Sequence, residues 1–129
     1  MPLPWPLDLS DYYLKRKFRN RSIPLLASFK VTHHCNLACR ACPFHRIEDR
    51  SASMTQETAR EIMDALSRLG TRIVIFEGGE PLLWNDGPFR FHDLVMEARK
   101  CFLRVAVTTN GTMPLDVPAH ALWISIDGL

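Results

Sequence analysis

Three cysteines stand within eight residues, Cys35-Asn36-Leu37-Ala38-Cys39-Arg40-Ala41-Cys42. Thiolate sulfur is a soft ligand suited to zinc or to iron–sulfur clusters. A loop this short can hold three corners of a cubane cluster or of a tetrahedral zinc. Either way one corner stays open, and an open corner is where a substrate can meet the metal. His33, His34 and His45 flank the loop and offer a fourth ligand for structural zinc, although they and Phe44 serve as well in loop packing. Cys101 stands apart, beside an apolar helical face, where a thiol acts as a small buried hydrophobe.

Three further groups of residues have the types that bind polar ligands. Gly78-Gly79-Glu80-Pro81 is a tight turn whose diglycine lets backbone approach a neighbour closely. Thr108-Thr109-Asn110-Gly111 closes an apolar run, and Asn110 reads either as a left-handed turn residue or as a contact. Ser125 and Asp127 lie two apart on a predicted strand and so share one face.

The elements that must carry these residues are legible from periodicity. Residues 25–32 have strand composition, and the cysteine loop follows from His33 to about Arg50. Ser53 with Gln56, or Thr55 alone, caps a helix bearing Ala59, Ile62, Met63, Leu66 and Leu69 on one face, with Gly70 at its C-cap. The run 72–76 is almost wholly apolar, as in a strand buried on both faces of a parallel sheet. A second helix over 89–102 turns Phe91, Leu94, Val95, Ala98 and Phe102 inward; strands over 103–109 and 122–126 complete the pattern. Strands alternating with helices imply an α/β fold with a parallel sheet. The last crossover, Asn110 to Ala121, contains Pro114 and Pro118 and leaves room for a turn or so of helix.

The composition frames these motifs. The chain has 129 residues, 47% of them apolar, and a formal net charge of +2. That length supports one domain, and the apolar fraction excludes global disorder. No apolar run is long enough to span a bilayer as a helix. The N-terminus lacks a basic segment and is broken by Pro2, Pro4 and Pro6, so it makes a poor signal peptide. A cytoplasmic location is expected, with the cysteines as thiols or ligands rather than disulfides. Residues 1–24 form a leader carrying Lys15, Arg16, Lys17, Arg19 and Arg21 ahead of a domain over 25–129. With Asp8 and Asp11 nearby, this cluster reads as a solvated segment, and nucleic acid is not an expected partner.

Taken together, the motifs resemble those of the radical S-adenosylmethionine (radical SAM) enzymes. Cys35-x3-Cys39-x2-Cys42 follows the first strand, Gly78-Gly79-Glu80-Pro81 the second, Thr108-Thr109-Asn110-Gly111 the third and Ser125-Ile126-Asp127-Gly128 the fourth. Their style is similar to the branch of molybdenum-cofactor biosynthesis, peptide-modifying and sulfatase-maturating enzymes. The resemblance implies a partial (β/α) barrel, of which about four βα units are present and the C-terminal strands are missing. It implies that Cys35, Cys39 and Cys42 ligate a [4Fe–4S] cluster whose fourth iron takes the amino and carboxylate groups of SAM. Gly78, Gly79, Glu80 and Pro81 would then meet the methionyl ammonium, while Ser125 and Asp127 suit the ribose hydroxyls. The residue before the third cysteine, frequently aromatic in the family, is here Ala41, so side-chain packing on adenine is lost at that point. The implied activity is reductive cleavage of SAM to a 5′-deoxyadenosyl radical that abstracts hydrogen from an unknown substrate, with reduced flavodoxin or ferredoxin as donor. The alternatives are a truncated, catalytically incompetent fragment and a zinc-binding module.

Overall fold

A computed structural model describes residues 4–19, 22–42, 49 and 51–126. The elements in chain order are α1 (Trp5–Arg19), β1 (Leu26–Thr32), α2 (Gln56–Leu69), β2 (Ile73–Gly78), a short hairpin of β3 (Asn85–Asp86) and β4 (Phe89–Arg90), α3 (Phe91–Cys101), β5 (Arg104–Thr109) and β6 (Ala121–Ile124). The four long strands form one parallel sheet in the order β1-β2-β5-β6. Strand order follows chain order without the reversal that marks a doubly wound sheet, so the winding is that of a barrel.

The two faces of the sheet differ because strand side chains alternate. Phe29 and Val31, Val74 and Phe76, and Val105 and Val107 are buried in one core with Ala59 and Met63 of α2 and Phe91, Leu94, Val95 and Ala98 of α3. Phe76 sits centrally, its ring 5.4 Å from those of both Phe29 and Phe91. Burial of each large side chain in this layer stabilises the fold by about 2 kcal/mol. The opposite face carries Ser28 and Lys30 on β1 opposite Ile75 and Glu77 on β2. Polar side chains therefore climb that face toward the carboxyl ends of the strands.

Helix boundaries follow their caps. Thr55 caps α2 by accepting from the Thr58 N–H, whereas Ser53 pairs with Thr32 instead. Asp86 Oδ2 accepts from Gln56 N at 2.8 Å, placing a carboxylate at the positive end of the helix dipole. Gly70 ends the helix at φ 98, a left-handed geometry that a side chain would strain. Leu69 is exposed at the margin of the apolar stripe, unlike its four predicted companions. All five residues expected to face inward from α3 are buried. That helix starts at Phe91 rather than 89, because Phe89 and Arg90 pair with Asp86 and Asn85 in the hairpin. The final crossover contains no helix, and β6 ends at Ile124, earlier than the predicted 126.

The basic segment before β1 is largely helical and contacts the domain. Tyr12 is buried and its hydroxyl donates to Ile23 O at 2.6 Å, while Arg72 pairs with Asp8 and, at 3.6 Å, with Asp11. Among the described residues no helix is long and apolar enough to cross a membrane.

Candidate functional site

The cysteine loop is closed at its base by the backbone. His33 N donates to Ala52 O and Met54 N to Val31 O, both at 2.8 Å, on either side of the Thr32–Ser53 bridge. Within the loop, Cys42 N donates to Cys39 O at 3.2 Å, a turn that keeps the second and third cysteines close together.

The end of β2 then zips onto the start of that loop. Gly79 N donates to Thr32 O and Glu80 N to His34 O, each at 2.8 Å. A Cβ at Gly78 would lie 2.4 Å from Thr32 O, and one at Gly79 would lie 2.3 Å from His34 O and 2.6 Å from His33 O. The diglycine is thus required first by the protein's own backbone, whatever ligand it also meets. Gly79→Ala is expected to cost about 3 kcal/mol and to lower Tm by roughly 10 °C. Thermal unfolding followed by circular dichroism checks this; an unchanged Tm would contradict the packing described.

Glu80 is fully buried, with its carboxylate turned into the protein. Oε1 accepts from Thr109 Oγ1 at 2.7 Å and from Leu82 N at 3.2 Å, and Oε2 accepts from Asn110 N at 2.7 Å. A carboxylate has about four acceptor positions, and three are taken here. Glu80 therefore ties the turn after β2 to the end of β5. Pro81 is buried beside it and opens a 3-10 turn over Pro81–Leu83.

A cavity of about 230 Å³ opens at the carboxyl ends of the strands. Cys35, Cys39 and Cys42 line it together with Gly78, Gly79 and Asn110, and Ser125 joins them just beyond β6. Residues far apart in the chain are thus gathered at the place where ligands bind in parallel α/β folds. Glu80 and Pro81 do not line it; they lie underneath. After β5 the left-handed position is taken by Gly111, φ 74, while Asn110 lines the cavity. Asp127, His45 and Phe44 fall outside the described residues.

Lys30 and Glu77 also line the cavity, and sequence reasoning passed over both. Ser28 Oγ donates to Glu77 Oε2 at 2.6 Å, which orients that carboxylate. The available signal was the alternation of Ser28 and Lys30 with Phe29 and Val31, which marks a polar face on an otherwise apolar strand.

The donor chemistry suits an iron–sulfur cluster. None of the three loop cysteines is in a disulfide and each is half-buried, so their sulfurs are accessible from the cavity yet partly shielded. Among the described residues no three His, Cys, Asp or Glu side chains are grouped closely enough to hold a single metal ion. Cys101 differs: burial first, then the nearby Asp64 and Glu97 carboxylates, pushes its thiol pKa up and disfavours the thiolate that a metal requires.

Parallel strands wound in chain order, helices packed on one face and a cysteine-lined cavity at the carboxyl edge define a partial (β/α) barrel with a ligand-sized site. The sequence model of the Radical SAM superfamily matches residues 29–122, and the chain belongs to that superfamily. Its members use a [4Fe–4S] cluster and S-adenosylmethionine. The chain is 30% identical over 105 residues to the AdoMet-dependent heme synthase of Nitratidesulfovibrio vulgaris, covering 81% of this chain and 27% of that protein. It is 36% identical over 83 residues to a probable GTP 3′,8-cyclase of Methanocella arvoryzae, covering 64% of this chain and 25% of that one. Streptococcus suis SuiB bound to S-adenosylmethionine has the same fold over 90% of this chain and 28% of its own, with a TM-score of 0.64 at 20% identity. The chain spans about a quarter of the length of these curated relatives.

Proposed function

We propose that this chain forms the cluster- and SAM-binding part of a radical SAM enzyme, with residues 25–129 as the core and 1–24 as a leader. Cys35, Cys39 and Cys42 would hold three irons of a [4Fe–4S] cluster and leave the fourth for SAM. Gly78 and Gly79 would offer backbone to the methionyl ammonium, Ser125 and Asp127 would meet the ribose hydroxyls, and Asn110 would border the same cavity. When bound and reduced, the cluster supplies one electron that splits SAM into methionine and a 5′-deoxyadenosyl radical able to take hydrogen from a substrate. The chain's own residues place SAM at the sheet's carboxyl edge and limit water around the sulfurs.

The observation that carries this reading is the cavity shared by all three loop thiols with Gly78, Gly79, Asn110 and Ser125. Glu80 would act through position, by holding the turn after β2 and the end of β5 around that cavity. A low-potential donor such as reduced flavodoxin or ferredoxin would serve the site, which fits a cytoplasmic setting. The test is anaerobic reconstitution with iron and sulfide, then dithionite and SAM, with nucleosides resolved by liquid chromatography. The expected product is 5′-deoxyadenosine. A loaded chain that forms none refutes the catalytic reading, and a colourless chain with one bound zinc refutes the cluster as well.

A further inference from the structure

Asn36, Asn110 and Thr112 close a ring of hydrogen bonds between the cysteine loop and the exit of β5. Asn36 Nδ2 donates to Thr112 Oγ1 at 2.8 Å, Thr112 Oγ1 donates to Asn110 Oδ1 at 2.7 Å, and Asn110 Nδ2 donates to Asn36 Oδ1 at 2.9 Å. Within the ring each side chain gives one proton and receives one, so the three groups fix one another's orientation. The backbone sets the direction of the ring. Thr112 N, which can only donate, reaches Asn110 Oδ1 at 3.0 Å. That identifies the oxygen end of the Asn110 amide, and the end turned to the cysteine loop must be the NH2. Its Nδ2 lies 3.8 Å from Cys35 Sγ, within hydrogen-bond reach of sulfur. The Asn110 backbone is held in turn by Glu80 Oε2 at 2.7 Å.

We propose that Asn110 is a positioning residue that tunes the electron affinity of the cluster site through an N–H···S hydrogen bond to Cys35, with Asn36 and Thr112 locking its amide in that orientation. The inference rests on the [4Fe–4S] reading above. A hydrogen bond to a ligating sulfur draws charge from it and favours the reduced form, which carries the extra electron. Loss of the bond makes the site harder to reduce.

Asn110→Asp tests this closely, because it keeps the oxygen that accepts from Thr112 N and replaces the donor with a second acceptor. In the full chain loaded anaerobically with iron and sulfide, the midpoint potential is read by titration with electron paramagnetic resonance. Asn110→Asp and Asn110→Ala are expected to shift the oxidised–reduced equilibrium tenfold toward the oxidised form, about 59 mV for a one-electron couple. Thr112→Val, which opens the ring without touching Cys35, is expected to shift it less in the same direction, and Thr112→Ser to restore the parent value. Loaded Asn110 variants at the parent potential overturn the proposal. If neither Asn110 variant takes up iron, equal potentials in the two Thr112 variants overturn it. A parent chain that takes up no iron refutes the cluster reading itself, and a loaded parent with unmoved variants refutes the inference alone.

Discussion

Replacing Cys39 by alanine is expected to take the reconstituted chain from about four irons and four sulfides per molecule to nearly none. Three thiolates from one loop are the whole protein contribution in the proposed site, so removing one leaves two ligands on a half-exposed segment. Cys35→Ala and Cys42→Ala should behave alike. Each side chain is half-buried at the cavity rather than in the core, so the apo fold should survive, and circular dichroism of the apo chain checks that it does. Cys101→Ala is the contrast. Burial and the Asp64 and Glu97 carboxylates keep that thiol protonated, so its loss should leave iron content unchanged. Iron retained in all three loop variants, or lost only with Cys101, would move the metal site elsewhere.

The second large effect belongs to Glu80. Glu80→Ala strands three donors at once, the buried Thr109 Oγ1 and the part-buried Leu82 N and Asn110 N. Hydrogen bonds to a charged acceptor contribute more than neutral ones, and donors left unpaired add their desolvation cost. A loss of about 4 kcal/mol is expected, or a fall of roughly 15 °C in Tm. Glu80→Gln should cost about half as much. Its oxygen can still accept from Thr109 and Leu82, but its NH2 then faces the Asn110 N–H. Denaturant unfolding of the two variants separates these costs, and equal stability to the parent in both would remove Glu80 as a hub.

Glu80 also shows where sequence reading and structure part. From its place after a diglycine it suggested a partner for an ammonium group. Its carboxylate instead points inward, because donors 29 and 30 residues away arrive there once β2 and β5 pair in register. Gly79 followed a similar course. Its type implied close backbone approach, but only the fold names His33 and His34 as the backbone approached. Ser125 lines the cavity from just past the end of β6 rather than from the strand itself.

Local pattern was enough to set the order of the four long strands with α2 and α3, the faces of those two helices and the position of the cysteine loop, but not α1 or the β3–β4 hairpin. These depend on periods of 2 and 3.6 and on caps such as Thr55 and Gly70, all of which act over a few residues. Only the folded chain brings Lys30 and Glu77 to one cavity, and Asn36 to Asn110 and Thr112 across 74 and 76 residues. Alternation can mark a polar face, as at Ser28 and Lys30, but which distant residues meet there leaves no local pattern. Such contacts exist because parallel pairing fixes the heights of the strand ends, and side chains on separate loops then come within hydrogen-bond distance.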